Sequence, residues 1–391
     1  MALHFPREEF GRRLSAATGA MREQGLDALL LFAPESQYYL TGYDTSGYVF
    51  FQCVVLTADG GAPVLLTRRP DLQQARHTSI IEDIRIWYDA EGKDPTEDLM
   101  PILEEKGLRG ARIGVELDSF GLSARNYRRL AGRLDGWATL GDGSDVVRRL
   151  RLVKSALELD HVRRSAALAD ASLVAMLETA GPGAFEGDIA AAGIAPILAG
   201  GGDMPPSGPV LGSGERALLI RSATGYRTLD PVDQLTLEFA ASYRRYTACL
   251  MRTVAIGQGN ERQRRMFGVT REALAAMTEA ARPGRPLGDI DAAHRTVFDR
   301  NGYGHARMSA CGYSLGATYR PSWMDVPPML YLGNSTLAQP GMVLFLHAIL
   351  IDADAGLAMS LGHTLAVREG APEVLSRLEP EYTICQGGPM T

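Results

Sequence analysis

Two residues have the type and setting for chemistry, Glu238 and His347. Across residues 235–240, Glu238 is the only charged residue in a mostly apolar run. Period-two geometry puts Leu235, Leu237 and Phe239 on one face of a strand, and Thr236, Glu238 and Ala240 on the other. A carboxylate inside a buried strand is costly unless it is paired or used, and such groups gather at functional sites. The structural alternative is a glutamate bonded to an arginine. His347 ends a second apolar run, Met342-Val343-Leu344-Phe345-Leu346. Pro231 precedes Glu238 by seven residues, and Pro340 precedes His347 by seven. If the chain folds with an internal two-fold, the two side chains should meet across the axis. A neighbouring carboxylate would then raise the imidazole pKa toward neutrality, which suits general acid/base chemistry. The structural alternative for His347 is a core histidine satisfied by packing.

The elements that must position them bear out such a two-fold. Residues 178–192 and 279–293 match at nine of fifteen positions. Each copy follows a long helix and opens another, with Asp188 and Asp289 as natural N-caps. Two copies are too few for a solenoid. Upstream, Ser155-Ala156-Leu157-Glu158 reads as a capping box. Leu159, Val162, Ala166, Ala169, Leu173 and Leu177 then line one helix face. The stretch around Tyr243-Arg244-Arg245-Tyr246 reads as a short basic turn between two strands. Gly200-Gly201-Gly202 lacks any phosphate-binding fingerprint around it and reads as a mobile lid.

Residues 1–149 alternate between strands and helices and make one α/β domain. A helix over 6–24 carries Phe10, Leu14, Ala17 and Met21 at helical spacing. A strand follows at 28–32, then a hairpin at 50–67 turning at Asp59-Gly60-Gly61. Further strands are read at 84–88 and 112–115, and helices at 95–106 and 124–134. Tyr38, Tyr39, Tyr43 and Tyr48 crowd the segment before the hairpin. The second domain spans 150–391. The fold class is therefore an α/β N-terminal domain followed by an α+β domain with pseudo-two-fold symmetry.

Composition excludes several classes. The 391 residues are 46% apolar and 22% charged, with a net charge of −6. No long basic run exists, so neither nucleic acid nor an anionic membrane is an expected partner. Cys53, Cys249, Cys311 and Cys385 show no CxxC spacing, so no disulfide framework or zinc knuckle is indicated. The N-terminus has no signal-peptide core, and no run of about 18 apolar residues occurs. The expectation is a reduced, cytoplasmic protein.

The α/β N-domain, the segment Leu150-Arg151-Leu152-Val153-Lys154-Ser155, the two-fold repeat and Pro340-Gly341-Met342-Val343 resemble the creatinase/aminopeptidase P superfamily. That resemblance covers nearly the whole chain and implies the pita-bread fold in the C-terminal domain. Most members are dinuclear metallopeptidases with two Asp, one His and two Glu as ligands. Here Glu238 stands at the first Asp, Cys249 at the second, Tyr313 at the His and His347 at the first Glu. The last Glu falls on Gly362 or His363. An upstream His of many members falls on Arg221. A hard two-metal oxygen cage cannot be built from this set.

The superfamily also has metal-independent branches, creatinase and ectoine hydrolase. Glu238 with the Tyr243–Tyr246 turn, Gly312-Tyr313, and Tyr319-Arg320-Pro321-Ser322-Trp323 resemble ectoine hydrolase more than the peptidases. The resemblance implies a metal-independent, cofactor-free hydrolase of a non-peptide C–N bond, acting on a small polar metabolite that is ectoine-, creatine- or cyclic amide-like. Glu238 would be nucleophile or electrostatic anchor. His347 would be acid/base, and His363 would orient it or hold a substrate carboxylate. Arg221 has the fork geometry of a carboxylate clamp, or else pairs structurally with Glu238. Tyr313 and Trp323 would wall the pocket. The resemblance also implies a homodimer in which the N-domain of one subunit closes the site of the other. Residues 43–52, with Tyr48, would be that contribution. Two alternatives stay open: a mononuclear metalloenzyme using Glu238, Cys249, His347 and His363, and a non-catalytic small-molecule receptor.

Overall fold

The computed structural model describes residues 3–221 and 224–388. The chain divides into two compact units between Arg151 and Leu152. The first is a mixed six-stranded sheet in the order β4-β3-β2-β1-β5-β6. Its strands are β1 (Ala28–Leu31), β2 (Cys53–Thr57), β3 (Val64–Arg68), β4 (Asp83–Trp87), β5 (Arg112–Val115) and β6 (Thr139–Asp142). The helices are α1 (Arg7–Glu23), α2 (Pro34–Thr41), α3 (Leu72–Thr78), α4 (Thr96–Glu105), α5 (Ala124–Leu134) and α6 (Ser144–Leu152). The β2–β3 hairpin, α1 and α5 lie where hydrophobic spacing puts them. The short helices α2 and α3 carry too few periodic positions to be read. Tyr38, Tyr39, Tyr43 and Tyr48 are all buried in this unit, where they act as core aromatics.

The second unit is an eight-stranded sheet flanked by long helices. Its main path runs β10-β11-β12-β9-β8-β7. The elements are α7 (Ala156–Thr179), α8 (Glu186–Ala199), β7 (Val210–Ser213), β8 (Asp233–Tyr243), β9 (Tyr246–Ile256), α9 (Glu261–Ala280), α10 (Gly288–Arg300), β10 (Gly312–Ser314), β11 (Val343–Asp352) and β12 (Leu357–Ala366), with two short strands off that path, β13 (Glu373–Val374) on β12 and β14 (Ile384–Cys385) on β9. That order is the repeat made visible. A pseudo-two-fold passes between β9 and β12, relating β7-β8-β9 with α7 and α8 to β10-β11-β12 with α9 and α10. One sheet face is apolar. Leu235, Leu237 and Phe239 pack with α7 residues such as Leu173 and Leu177. Leu344, Leu346 and Ala348 pack with Leu274, Met277 and Phe298. The opposite face carries Glu238 and His347. This is the pita-bread fold.

The capping box forms as read: Glu158 N donates to Ser155 Oγ, and Ser155 N donates to Glu158 Oε2. The repeat helices start earlier than read. Phe185 and Leu287 are the N-cap residues, so Asp188 and Asp289 fall inside the first turn and cap nothing. There they act as charges at the positive helix end. The triglycine is a helix terminator rather than a lid. Gly201 takes a left-handed φ of 79°, Gly202 N donates to Ile197 O, and Asp203 N donates to Ser242 O, which pins the loop to β8. The basic turn closes β8 onto β9 with Arg244 and Arg245 both left-handed, at φ 50° and 70°. Two residues in that conformation match the twist of a tight hairpin.

Candidate active site

Sheet register decides which side chains meet. Glu238 pairs with Met251, Met251 with Gly362, and Gly362 with His347. Directly paired residues share a face, so these four form one row. The next row runs Ala240 and Cys249, then Thr364, Phe345 and Tyr313, joined where Cys249 N donates to Thr364 Oγ1. Both rows lie opposite the helix-packed face. A cavity of about 700 Å³ opens over them, lined by Glu238, His347, Tyr313, Trp323 and Arg221, with Met308, Met324 and Met329 among the apolar groups.

Glu238 and His347 thus face one cavity, but they do not touch. Two strands separate them, and Tyr313 stands between. Its hydroxyl donates to Glu238 Oε1 at 3.5 Å and accepts from Trp323 Nε1 at 2.7 Å. Its ring lies 5.8 Å from that of His347. Glu238 is 8% exposed. Burial raises its pKa to about 7, against the lowering effects of the Arg221 charge and the Tyr313 hydroxyl. Arg221 is exposed at the cavity wall. Among the described residues no ion pair joins it to Glu238, so the structural salt bridge is not formed.

The expectation of a raised histidine is overturned. Burial pushes His347 down to about 4, because no carboxylate is close enough to oppose it. The ring is neutral at working pH. It can take a proton only as a weak base, and its imidazolium gives one up readily. Its Nδ1 is buried without a hydrogen-bond partner.

His363 is not in the cavity. It pairs with Leu346 and Leu250, so it projects from the helix-packed face. There its Nε2 meets Thr278 Oγ1 on α9 at 3.0 Å. Gly362 is the residue of that pair on the cavity side. A side chain cannot be built there without movement: a Cβ would lie 2.8 Å from Phe345 Cζ and 2.9 Å from Leu346 O. Tyr48 belongs to the first unit and does not line this cavity. The methionine lining escaped sequence reading, as did two buried polar residues of α10, Asp291 and His294. The signal for the latter was in the repeat: the first copy has Ala190 and Gly193 at the equivalent positions.

Comparison with known proteins gives the family. Residues 160–369 match the model of metallopeptidase family M24, and residues 13–153 match the creatinase/prolidase N-terminal domain. The chain belongs to family M24. An ectoine hydrolase from Halomonas elongata is 27% identical, covering 96% of this chain and 97% of its own. An uncharacterized hydrolase/peptidase, y4tL, from Sinorhizobium fredii is 31% identical, covering 95% and 96%. Among solved structures, dipeptidase PepE from Mycobacterium ulcerans superposes with a TM-score of 0.83 at 23% identity, covering 98% of this chain and 99% of its own.

The family name implies a metal centre, and the donors present do not fit one. Glu238 and His347 are the only carboxylate and imidazole among the described residues lining the cavity. Tyr313 stands among these donors with a phenol whose hydroxyl is taken up by Glu238 and Trp323, and Gly362, in the row between them, offers no side chain. Among the described residues no three His, Cys, Asp or Glu side chains are gathered where one ion could sit. That also removes the mononuclear set, since His363 faces α9 while Glu238, Cys249 and His347 belong to the other face.

Proposed function

We propose that this chain is a hydrolase that opens a non-peptide C–N bond in a small polar metabolite, ectoine-, creatine- or cyclic amide-like, without a metal ion. The observation that carries it is Glu238: a nearly sealed carboxyl with a pKa of about 7, held by Tyr313 in a cavity lacking a metal-ligand set. The ectoine hydrolase likeness along the whole chain supports the substrate class.

Arg221 would bind a substrate carboxylate. Ionised Glu238 would face the electrophilic carbon, as nucleophile or as anchor for a cationic C–N centre. Neutral His347 takes a proton from water as the water oxygen bonds to carbon, and returns it to the departing nitrogen as the C–N bond breaks. If Glu238 attacks first, its carboxylate oxygen bonds to the carbon and the nitrogen leaves with the proton that His347 has drawn from water; the hydroxide left behind then cleaves the acyl adduct, a mixed anhydride, and frees the carboxylate. Trp323, Tyr313 and the methionines enclose the reacting groups.

The test is turnover of cyclic amidines, guanidino acids, lactams and Xaa-Pro dipeptides, with and without chelator, alongside elemental analysis. Release of amine from a non-peptide substrate, unaffected by chelator, supports the reading. Near-stoichiometric metal with chelator-sensitive dipeptide cleavage overturns it. His347→Asn should lose roughly 10²–10⁴ in kcat, and an acyl adduct trapped on Glu238 in that variant would identify the nucleophile. The active form in this reading is a homodimer. Val49 and Phe50 of the first unit are large apolar side chains exposed at 71% and 47%, available to a second copy. A monomer by light scattering at micromolar concentration would remove the second-subunit role given to residues 43–52.

A further inference from the structure

On α10, within electrostatic reach of His347, lies a group of buried polar side chains that the mechanism above does not use. Asp291 and His294 sit one helical turn apart on α10, both fully buried. His294 Nδ1 lies 3.7 Å from Asp291 Oδ1. Asp291 Oδ1, both ring nitrogens of His294 and Nδ1 of His347 are buried without hydrogen-bond partners. Four such atoms in one region are costly unless they serve each other. The pseudo-two-fold locates them. Their counterparts in the first half are Ala190 and Gly193, and Ala190 lines the cavity on the Glu238 side. Asp291 therefore falls at the matching place on the His347 side. The backbone agrees: His347 N donates to Cys311 O, and the Cys311 thiol interacts with Asp291. His294 is also within electrostatic reach of His347.

We propose that Asp291 and His294 are positioning residues that hold His347 as its Nδ1–H tautomer, leaving Nε2 as the proton acceptor. In the relay the 3.7 Å gap between Asp291 Oδ1 and His294 Nδ1 closes to a hydrogen bond in which Oδ1 accepts, and His294 Nε2 closes on His347 to accept from its Nδ1–H. A histidine's working nitrogen is set by the hydrogen bond its other nitrogen makes, and a base oriented by a third group is a recurring arrangement. The charged groups around His294 favour this neutral relay. Asp291 and Arg295 face it from its own helix, Arg307 from the following loop, and His347 from β11. Arg295 Nε binds Asp291 Oδ2 at 2.5 Å, which leaves Oδ1 for the imidazole. Burial first, then the neighbouring His347, Arg307 and Arg295, depresses His294 to about 3, so its ring is neutral.

The inference rests on His347 being the proton acceptor, so its test avoids turnover. Imidazole ¹⁵N resonances are recorded on the full chain at neutral pH, with those of His347 assigned by their loss in His347→Asn. The expected wild-type spectrum shows a protonated Nδ1 and a bare Nε2. In His294→Phe, which keeps an aromatic ring and removes both nitrogens, the two resonances should move toward each other as the tautomers mix. Asp291→Asn should do the same to a smaller extent. Thermal unfolding reports separately on the fold. A wild-type His347 protonated on Nε2 overturns the proposal, whether or not the variants fold. So does a folded His294→Phe with His347 resonances unchanged. Absence of turnover with the tautomer shift intact would sink the hydrolase reading and leave the relay standing.

Discussion

Glu238 is nearly sealed, and its main cationic influence, Arg221, sits at the cavity wall rather than against it. That balance fixes the sign of its pH dependence. A carboxyl whose pKa rises on folding favours the folded state while it is protonated. The contribution is complete below the ordinary value of 4.5 and is lost as pH climbs through about 7. Glu238→Gln cannot ionise and loses nothing. Above neutral pH the variant should exceed the parent in stability by on the order of 3 kcal/mol, and the two should converge near pH 4.5. Denaturant titrations at the two ends of that window check it; parallel curves would mean that Glu238 is not held as described. The same shift places the acid limb of kcat/KM near pH 7. His347, at about 4, is already neutral there and cannot supply that limb. An acid limb that persists near pH 7 in a slow Glu238→Gln variant would assign it to another group.

Among the elements, β12 shows how far the sequence could be read. Glu238 and His347 were legible because each interrupts an apolar strand, and because the repeat sets them at equivalent places. The choice between Gly362 and His363 was not. A slip of one residue in a hairpin turn flips every side chain to the other face, and only pairing with β9 and β11 fixes it. His363 looked chemical because it titrates, yet it serves packing by meeting Thr278 behind the sheet. Gly362 looked empty, yet it lies in the row that joins Glu238 to His347. Asp188 and Asp289 misled for a related reason: helix ends depend on local backbone geometry, and the repeat fixes the helices without fixing their first residue. The β12 reading has a direct check. Gly362→Ala adds a methyl 2.9 Å from the Leu346 carbonyl and 2.8 Å from the Phe345 ring. Phe345 is fully buried and has little room to yield. Overpacking of this kind costs about 1–3 kcal/mol. A calorimetric melting temperature equal to that of the parent would show that the strands are not paired in this register.

For the molecule as a whole, the second unit holds three neutral histidines, His294 and His363 buried and His347 half-buried at the cavity. His294, His347 and His363 are depressed to about 3, 4 and 3, each by burial first. A histidine with a lowered folded pKa contributes stability that is fully present above its unfolded value of 6.5 and is lost as pH falls toward its folded value. Between about pH 6 and pH 5 the unfolded chain therefore holds about three more protons on these rings than the folded chain does. Glu238 opposes them, since it holds one proton in the folded state that the unfolded chain has released. The net excess of about two protons gives a loss of roughly 3 kcal/mol per pH unit. The lowered aspartates and glutamates, such as Asp142 and Glu186, act only further down, where carboxylates begin to protonate. The second unit should therefore destabilise steeply at mildly acidic pH, before ordinary acid denaturation begins. His363→Gln retains a polar group for Thr278 and removes one titration, so its slope should be shallower by about 1.4 kcal/mol per pH unit. Unfolding free energies of parent and variant at about pH 5 and about pH 6 measure both slopes. A flat parent profile over that unit would mean that the three rings are protonated, or open to water, in the folded chain. The neutral imidazoles on which both the catalytic step and the α10 relay depend would then not exist.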